Sequence, residues 1–431
     1  MRGYVGMEII GEERGMKVYL VGGAVRDELM SVESKDRDYV VVGATHEEMI
    51  EKGFTKVGAA FPVYLEPNTK EEYALARTER STGPGYHDFE VVFSPDVTIE
   101  QDLMRRDLTI NAIAKDLSTG EIIDPCGGVL DIENRRLRCV STKAFIEDPL
   151  RVYRLARLHA RYGGEFTIDP DTWGMCQNVD LSALPKERKF AEIKKCFSDQ
   201  SERNKPSVMI RMLTQLGEFP ELVDLHDVVQ PKEHHPEGDA FVHTLLCMDY
   251  AQATRASEAV KWAVLCHDLG KCIYWVTGKL HGHEEHGIKL TEQVCDRFGV
   301  PNSWKKLALA VTEHHTRLHR IKEMKPKKVY DLLVALRGEK DQAFLSEFID
   351  ACICDARGRG PEKMFDNYNQ PLVLFSALAG IVQNSVAISK ESKEISERFA
   401  GRPDEIKNRI RNVKVRYVTQ YLDKLKESEN V

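Results

Sequence analysis

The hydrophobic pattern of this chain changes near residue 138, and that change constrains the fold more than any other feature. Between residues 16 and 137, short β-rich runs alternate with polar turns and a few helical stretches; the runs are VYLV, DYVVVG, FPVYL, EEYALAR and FEVVFS. From residue 138 onward the pattern is helical nearly throughout. The sequence therefore predicts an α+β protein, with a small mixed or antiparallel sheet in a head that is followed by all-α domains.

The length of 431 residues exceeds what one hydrophobic core supports, so several domains are expected. We predict an N-terminal extension, a sheet-containing head, a helical neck, a histidine-rich domain with its core at about 240–341, and a helical C-terminal region, at residues 1–15, 16–137, 138–225, 226–345 and 346–431 respectively. No window approaches ~18 consecutive apolar residues, and the N-terminus lacks the apolar run of a signal peptide. We therefore expect a cytoplasmic protein that does not enter a membrane.

The net charge of −7 gives no overall argument for nucleic-acid binding, but the charge is unevenly distributed. Residues 135–161 contain eight Lys or Arg against two acidic residues, a local charge of +6. Such a segment is expected if one surface meets phosphates, although a solvated helix face would give the same pattern.

Two aspartates, Asp36 and Asp38, lie at the start of a strand that follows a glycine turn. Side chains at i and i+2 of a strand point to the same face, so the two carboxylates lie side by side and repel each other unless a cation separates them. Mg²⁺ bound to substrate phosphates is the usual cation. The turn itself, Gly22-Gly23, lets backbone N–H groups approach a triphosphate, and Arg26 adds a charge-assisted contact.

Five motifs in order resemble the class II CCA-adding tRNA nucleotidyltransferases, within the polymerase-β-like superfamily. They are GGAVRD with KDRD, RRDLTINA, DPCGGVLD, EDPLRVYRLAR and ERKFAE. The resemblance implies that the tRNA 3′ hydroxyl attacks the α-phosphate of CTP or ATP, with Mg²⁺ held by the catalytic residues Asp36 and Asp38. It also implies that Arg106 contacts the triphosphate. Two weaker candidates are Glu72, as a third metal carboxylate, and Asp107, as a residue that caps or orients Arg106.

The fourth motif predicts a nucleobase-reading helix over Glu147–Arg161. Asp148, Arg151 and Arg154 follow one another at helical spacing and so share a flank, while Val152, Ala156 and Ala160 lie on a packing flank. The resemblance implies that the first three residues bind the nucleotide, because one acceptor and fixed donors match both cytosine and adenine. An Asp–Arg salt bridge within the helix is the alternative. The weaker candidates nearby are Arg157, Glu187 and Arg188.

Histidine is concentrated in one part of the chain, because eleven of the 14 lie between His226 and His319. CHDLGK places His267 and Asp268 next to each other on an expected helix. The order H…HD…H…H…D, formed by His243, His267, Asp268, His283, His315 and Asp355, resembles the HD phosphohydrolase superfamily. We prefer His315 to the adjacent His314 as the ligand. Such a set suits a divalent transition metal, of which Ni²⁺ is one candidate.

A nucleotidyltransferase head followed by HD resembles the bacterial multifunctional CCA enzymes, which implies 2′,3′-cyclic phosphodiesterase, 2′-nucleotidase or phosphatase activity. The expected partners are ATP, CTP and the acceptor arm and 3′ end of tRNA, which we place against the arginine-rich neck and the C-terminal helices. The sequence leaves a monomer and a homodimer open.

Other functions remain open at this point. An enzyme that adds only CC or only A shares these motifs, as does a poly(A) polymerase, although that branch usually lacks HD and ends in a strongly basic tail. A different class would be an HD phosphohydrolase whose head binds RNA without catalysis. The joint presence of Asp36, Asp38, Gly22, Gly23 and Arg106 argues against a passive head.

Overall fold

The computed structural model describes residues 15–34, 37–57, 63–81, 89–233 and 235–429. Asp36, most of the expected N-terminal extension and the first two residues of FPVYL lie outside these residues. The chain divides into two compact units, Met1–Arg188 and Lys189–Val431. The boundaries expected at residues 137, 225 and 345 stay predictions.

The strands of the described residues all belong to the first unit. They are β1 (Lys17–Val21), β2 (Asp38–Val42), β3 (Thr55–Val57), β4 (Val63–Leu65), β5 (Glu72–Leu75), β6 (Arg77–Ser81), β7 (Phe89–Phe93), β8 (Ala114–Asp116), β9 (Ile122–Ile123), β10 (Arg136–Leu137) and β11 (Thr167–Ile168). Seven of them form one sheet in the order β3-β4-β5-β2-β1-β8-β9, while β6 and β7 form a separate hairpin and β10 and β11 a parallel pair. The run EEYALAR therefore contributes to two sheets, since it is interrupted at Ala76.

The large sheet is mixed, as expected. β2 and β5 run parallel, whereas its other neighbouring strands pair antiparallel. Alternation along β1 explains why its residues form a central strand, because Val18 and Leu20 enter one hydrophobic cluster and Tyr19 and Val21 enter another. The sheet is thus covered on both faces, and its β2–β5 pair places two strand starts at the same edge.

The helices of the first unit connect and cover these strands. They are α1 (Gly23–Leu29), α2 (His46–Glu51), α3 (Ile99–Met104), α4 (Gly128–Glu133), α5 (Thr142–Glu147), α6 (Leu150–Arg161) and α7 (Pro170–Asn178), with a 3₁₀ turn at Thr109–Asn111. α2 and α3 each begin with a capping box, in which Thr45 pairs with Glu48 and Thr98 with Gln101.

The helix expected over Glu147–Arg161 is two helices. α5 ends at Glu147, α6 begins at Leu150, and Asp148-Pro149 lies between them. Proline disfavours the α conformation of the residue before it, and the backbone of Asp148 accordingly has φ −125° and ψ 89°. The packing flank agrees with the expectation, since Val152, Ala156 and Ala160 are fully buried.

The second unit is helical throughout its described residues. After α8 (Lys186–Ser198), which begins in the first unit, its helices are α9 (Pro206–Gln215), α10 (Pro220–Val223), α11 (Ala240–Ala253), α12 (Glu258–Cys266), α13 (Tyr274–Thr277), α14 (His283–Phe298), α15 (Asn302–His319), α16 (Pro326–Ala335), α17 (Gln342–Arg357), α18 (Gln370–Val382), α19 (Ser385–Arg398) and α20 (Pro403–Glu429). Leu269–Ile273 and Ile321–Glu323 are 3₁₀ turns. α12 is central, because it packs against α11, α15 and α17 and all its residues except the first are buried.

Among the described residues, no single helix has the length and apolar character needed to cross a membrane. α18 and α19 meet that criterion only when taken together, and they are bent by 62° at their junction.

Candidate active sites

A cavity of about 510 Å³ in the first unit collects most of the predicted head and neck residues. Its volume is within the ~300–1,000 Å³ typical of small-molecule sites. Nine arginines line it among the described residues: Arg26, Arg77, Arg105, Arg106, Arg151, Arg154, Arg157, Arg161 and Arg188. The acidic lining residues are Asp38, Glu72, Asp107 and Asp148. The excess of guanidinium groups favours a ligand that carries several negative charges.

The two strand starts at the β2–β5 edge bring carboxylates together. Asp38, the first residue of β2, is the register partner of Glu72, the first residue of the parallel β5. Neighbouring strands lie about 4.8 Å apart and partners in register point to the same face. Both side chains are exposed and line the cavity. Two adjacent carboxylates beside arginines are a donor set that fits a hard cation shared with phosphate oxygens.

The glycine turn between β1 and α1 touches the arginine cluster directly. Gly22 has φ +68°, and a Cβ built there would lie 2.9 Å from Nη1 of Arg106. Both facts require glycine at this position. Gly23 is less constrained, because its Cβ would make an ordinary 3.5 Å contact with Arg26.

Buried aspartates hold the arginines nearest the turn. Asp27, 4% exposed, accepts hydrogen bonds from Arg26 through Oδ1 and from Arg161 through Oδ2. Arg26 also donates through Nη1 to Oδ1 of Asn111 at 2.6 Å. These contacts fix the direction of each guanidinium before any substrate binds.

Arg106 is held by Asp102, which sequence reasoning missed. Asp102 is fully buried; its Oδ2 accepts from Nη2 of Arg106 at 3.1 Å, and its Oδ1 accepts from Nη2 of Arg105 at 2.5 Å. Burial would raise the pKa of Asp102, but the two guanidinium groups outweigh burial and lower it. The only sequence signal was the i, i+3 and i, i+4 spacing of one acid before two arginines.

Asp107 orients a different arginine from the one expected. Its carboxylate accepts from Nε of Arg154 at 2.7 Å and from Nδ2 of Asn111 at 3.1 Å. Burial opposes ionisation, yet Arg154, the Asn111 hydrogen bond and Arg151 hold the pKa of Asp107 far below its usual value. The expectation that Asp107 caps or orients Arg106 is therefore wrong.

The three expected base-reading residues all line the cavity, but they do not share a helix. Asp148 precedes α6 and accepts from Nη2 of Arg188 at 3.4 Å, so the shared-flank expectation is wrong for this residue. Arg151 and Arg154 lie on the first turns of α6. Within the described part of the chain, Nη1 of Arg151 is buried and has no hydrogen-bond partner. Arg157 also lines the cavity, whereas Glu187 is exposed on α8 and does not.

The local charge of residues 135–161 is largely balanced inside the first unit. At least six of its eight basic residues form ion pairs with described residues: Arg135 with Glu165, Arg136 and Arg138 with Asp131, Lys143 with Glu147, Arg154 with Asp107, and Arg161 with Asp27. Most of the acidic partners lie outside residues 135–161. The local charge of +6 therefore overstates the positive charge that this segment presents to a ligand.

In the second unit, the six predicted histidine-domain residues converge from separate elements. His243 lies on α11, His283 begins α14, His315 lies on α15 and Asp355 on α17. His267 and Asp268 are not on a helix as expected, because α12 ends at Cys266 and the pair forms the junction with the 3₁₀ turn. Gly270 in that turn allows the approach to α14, since a Cβ there would lie 1.9 Å from the carbonyl oxygen of His283.

Asp268 lies between two groups of imidazoles. Its Oδ2 is 3.0 Å from Nε2 of His267 and 3.5 Å from Nε2 of His243. Its Oδ1 is 3.6 Å from Nε2 of His315 and 3.7 Å from Nε2 of His283. Asp355 closes the first group, with Oδ1 at 3.1 Å from Nε2 of His243.

The hydrogen bonds of the rings direct the same nitrogen of each histidine inward. Nδ1 of His267, His283 and His315 faces the carbonyl oxygens of Val264, Leu280 and Val311 at 2.7–2.9 Å. Nδ1 of His243 faces Oε1 of Glu237 at 2.7 Å. Each Nδ1 therefore carries the proton in the neutral ring, and each Nε2 presents its lone pair to the cluster.

These inward lone pairs fit a cation. Nε2 of His283 and Nε2 of His315 are 3.4 Å apart, and without a positive charge between them two lone pairs would oppose each other. Oδ1 of Asp268 is buried and faces Nε2 of His283 and Nε2 of His315 at 3.7 and 3.6 Å, while Oδ2 contacts Nε2 of His267 and Nζ of Lys271. His314 points elsewhere, since its Nε2 lies 3.7 Å from Glu313, so it is His315 that the structure brings to the cluster.

A cavity of about 290 Å³ opens onto this cluster and contains residues that the sequence did not single out. Lys271 contacts Oδ2 of Asp268 at 2.5 Å, and Arg359 contacts Oδ1 of Asp355 at 3.1 Å. Nε2 of His319 lies 2.5 Å from Oδ2 of Asp355, and Nδ1 of His319 lies 2.9 Å from the hydroxyl of Tyr368. Lys271 could have been suspected from HDLGK; His319 and Arg359 each lie four residues after a predicted ligand.

Comparisons with known proteins match two parts of the chain to two different families. The chain matches the family described as the poly A polymerase head domain over residues 18–138 and the HD domain family over residues 233–357. It is 43% identical over 415 residues to the multifunctional CCA protein of Actinobacillus pleuropneumoniae serotype 5b (strain L20), with 93% of this chain and 99% of that protein covered. The multifunctional CCA protein of Teredinibacter turnerae is 42% identical over 411 residues, with 91% and 98% covered.

Solved structures share the fold. A CCA-adding enzyme in complex with CTP has a TM-score of 0.59 at 20% identity and covers 98% of this chain and 93% of its own. A complex of a CCA-adding enzyme with ATP has a TM-score of 0.60 at 19% identity, with 98% and 92% covered. This likeness confirms the α+β head followed by helical regions.

Proposed function

Because this chain belongs to the family of multifunctional CCA proteins, we propose that it adds the 3′-terminal C, C and A to tRNA from CTP and ATP without a nucleic-acid template. The observation that carries the proposal is the cavity of the first unit, where Asp38 and Glu72 lie beside nine arginines of the described residues. The names of the relatives indicate the substrates, and the arginine-lined cavity beside two carboxylates supports a triphosphate site there.

We assign Asp36 and Asp38 as the catalytic carboxylates and Glu72 as a third. Mg²⁺ bound by these oxygens would lower the pKa of the tRNA 3′ hydroxyl and balance charge on the α-phosphate and the leaving pyrophosphate. The register of Asp38 with Glu72 supports this assignment, because both side chains are exposed at the same strand edge.

The triphosphate is assigned to Gly22, Gly23, Arg26 and Arg106. Gly22 brings its backbone within reach of Arg106, since the space that a Cβ would need is already filled by that guanidinium. Arg26 and Arg106 are anchored by Asp27 and Asp102, so little side-chain entropy is lost when phosphate oxygens bind.

Base selection is assigned to Asp148, Arg151 and Arg154. Asp148 offers an acceptor for the exocyclic amino group of cytosine or adenine, and the guanidinium groups offer donors for the ring nitrogen. Uracil and guanine would place a donor against a donor or an acceptor against an acceptor, and would leave buried charged groups unpaired. Nη1 of Arg151 supports this role, because it is buried and makes no hydrogen bond to any residue that the structure describes. Arg188 and Asp107 orient Asp148 and Arg154.

The test is incubation of a tRNA that lacks CCA with Mg²⁺ and with CTP, ATP or both, read at single-nucleotide resolution. We expect C, C and A to be added and the reaction to stop, and we expect Asp38→Asn to abolish addition. Asp96→Asn, an exposed aspartate in the same unit, is the matched control and should retain activity. Long adenylate tails would indicate a poly(A) polymerase, and two cytidines or a single adenosine a partial enzyme. No addition by the wild type would refute the proposal.

For the second unit we propose metal-dependent hydrolysis of 2′,3′-cyclic phosphates, 2′-phosphates or other phosphomonoesters. The carrying observation is Asp268, whose two oxygens face two separate pairs of imidazoles. A bound transition metal would supply an activated water, and Lys271 and Arg359 lie where they can hold phosphate oxygens.

This second activity is tested with 2′,3′-cyclic AMP in the presence of Ni²⁺, Zn²⁺, Mn²⁺ or Co²⁺. Asp268→Asn should abolish hydrolysis while CCA addition persists, and Asp38→Asn should do the reverse. Asp423→Asn, exposed on α20, is the control for the second unit. Hydrolysis that survives Asp268→Asn, or that the wild type lacks with every metal, would refute the proposal.

The remaining expectations are retained as proposals: the five-segment domain division, a cytoplasmic location, and a tRNA acceptor arm that contacts the neck and the C-terminal helices. A footprint of tRNA on the protein would test the last of these. Protection confined to the second unit's histidine domain would contradict it.

A further inference from the structure

His235 lies outside the order H…HD…H…H…D, but its side chain lines the cavity that opens onto the histidine cluster. It belongs to the loop before α11, which is closed by backbone hydrogen bonds. The N–H of Gln230 donates to the carbonyl oxygen of Gly238 at 2.9 Å, and the N–H of His235 donates to the carbonyl oxygen of Pro231 at 2.9 Å. The loop therefore holds the His235 side chain, which is 14% exposed, at the wall of the cavity.

Glu237 fixes the direction of the His235 ring. Its Oε1 lies 2.9 Å from Nδ1 of His235 and 2.7 Å from Nδ1 of His243, and its side chain is 3% exposed. An ionised carboxylate only accepts hydrogen bonds, so both rings donate to it through Nδ1. In the neutral ring of His235, Nε2 then carries the lone pair and is the nitrogen that remains for a ligand in the cavity.

The size and charge of the cavity limit what can meet this lone pair. Lys271 and Arg359 line the same cavity and are assigned to phosphate oxygens. A phosphate monoester has a second pKa near 6, so at pH 8 it has no proton to donate, and the lone pair of His235 must face another part of the ligand. The cavity volume of about 290 Å³ lies at the lower end of small-molecule sites and suits a phosphate with its sugar better than a whole nucleotide. The donor that fits is a hydroxyl of the sugar.

Gln230 gives a second, independent indication of a ligand here. It is 2% exposed, it lines the cavity, and its Oε1 accepts from Nζ of Lys271 at 2.5 Å. Its Nε2 is buried and makes no hydrogen bond to any residue in the described part of the chain. A buried donor without an acceptor costs free energy, which an oxygen of a bound ligand would offset. Gln230 and His235 therefore add one donor and one acceptor to a cavity that already contains two cations.

We propose that His235 is a specificity-determining residue of the second unit, whose Nε2 accepts a hydrogen bond from the ribose hydroxyl next to the scissile phosphate. The inference rests on the phosphohydrolase activity proposed for this unit and names the part of the substrate that the unit selects. In a 2′-phosphate that group is the 3′ hydroxyl. Glu237 is the positioning residue, because it fixes the His235 ring. A substrate without the hydroxyl leaves the lone pair unmatched and is hydrolysed less well.

The experiment compares two substrates that differ by one hydroxyl, adenosine 2′-phosphate and 3′-deoxyadenosine 2′-phosphate. The full-length protein is assayed at pH 8, above the ordinary histidine pKa of about 6.5, with the metal that supports hydrolysis best. We expect kcat/KM to be about tenfold higher for the substrate that carries the hydroxyl. His235→Phe should lower kcat/KM for adenosine 2′-phosphate by about tenfold and leave the deoxy substrate nearly unchanged, so that the preference disappears. His235→Gln, whose amide carbonyl can accept a hydrogen bond, should keep part of the preference.

His286→Phe is the matched control, because His286 is exposed on α14 and is not among the described residues that line the cavity; it should keep the preference. The Zn²⁺ affinity of metal-stripped His235→Phe, measured by calorimetry, should equal that of the wild type, because the contact between Glu237 and His243 remains. A weaker Zn²⁺ affinity would make His235 a support of the metal site and overturn the assignment.

The substrate comparison separates this inference from the activity on which it rests. Equal kcat/KM for the two substrates in the wild type, or an equal loss for both in His235→Phe, would overturn the role of His235 while the hydrolase proposal stands. Absence of hydrolysis of either substrate by the wild type would overturn both. The wild-type comparison decides the question even if a variant fails to fold.

Discussion

Replacing Asp102 with asparagine tests how the buried aspartates of the first unit prepare the cavity. Oδ1 of Asp102 accepts from Nε and Nη2 of Arg105 and from the Arg77 backbone N–H, while Oδ2 accepts, among the described residues, from Nη2 of Arg106 alone. The asparagine carbonyl can satisfy the Oδ1 donors. Its NH₂ group then faces Nη2 of Arg106, donor against donor, so Arg106 is the arginine released.

The magnitude follows from the burial of the pair. The Asp102 carboxylate is 0% exposed, and the Arg105 and Arg106 side chains are 18% and 19% exposed. Removing one partner of a buried ion pair costs about 3–5 kcal/mol. Because the amide retains part of the hydrogen bonding, we expect Asp102→Asn to lower the free energy of unfolding of the first unit by about 2–3 kcal/mol.

The functional readout separates positioning from general damage. Since Arg106 is assigned to the triphosphate, we expect KM for CTP and for ATP to rise together by about tenfold or more, equivalent to about 1.4 kcal/mol, while KM for tRNA changes little. Steady-state kinetics and urea unfolding of the variant, with Asp96→Asn alongside, measure both effects. An unchanged KM for both nucleotides in a destabilised variant would refute the argument that Asp102 positions Arg106.

Four other predictions concern single features. Gly22→Ala should raise KM for both nucleotides, because φ +68° costs about 1–2 kcal/mol with a side chain and the Cβ meets Arg106; an unaltered KM would contradict the close approach. Asp148→Ala should lower the preference for CTP over UTP by about 10–100-fold in competition assays, and equal discrimination would remove Asp148 from base selection. Affinity for tRNA should fall steeply between about 50 and 200 mM salt, because each arginine–phosphate contact releases a counterion on binding. An affinity that does not change with salt would argue against a tRNA surface lined by arginines. Burial lowers the pKa of His159 from 6.5 to about 4. Between these two pH values the unfolded chain therefore binds a proton at His159 and the folded chain does not. His159→Gln should therefore lose less stability than the wild type as pH falls from 6.5 toward 4, by up to about 1.4 kcal/mol per pH unit, and parallel unfolding curves would contradict this.

Local sequence rules predicted some features of the first unit. The helical spacing of residues 147–161 predicted that Val152, Ala156 and Ala160 form a packing flank, because side-chain direction follows backbone geometry within a few residues. Glu72 was named as a candidate third metal carboxylate from the family resemblance, whereas its register with Asp38 follows from a parallel pairing that no local rule specifies. Asp36 remains a prediction outside the described residues.

The predicted helix boundaries were wrong at two places, one next to a proline and one next to a glycine that packs closely against another helix. Pro149 separates Asp148 from α6, and the approach of Gly270 to α14 follows directly after the end of α12, so that His267 and Asp268 lie in a turn. In both cases the predicted residues lie at the cavity or the histidine cluster, but the predicted backbone conformation was wrong, because spacing rules assume an unbroken helix.

The sequence by itself determined the α+β head, the helical remainder, the family and the order of the candidate metal ligands, since each depends on short-range pattern. Only the tertiary structure decided which side chains contact each other. Asp102 pairs with Arg106, Asp107 pairs with Arg154, and Cys247 lies beside His243 and His267. Electrostatic and ligand contacts require atoms to lie within about 4 Å. That proximity is created by packing between elements distant in the chain, and spacing along the chain does not encode it.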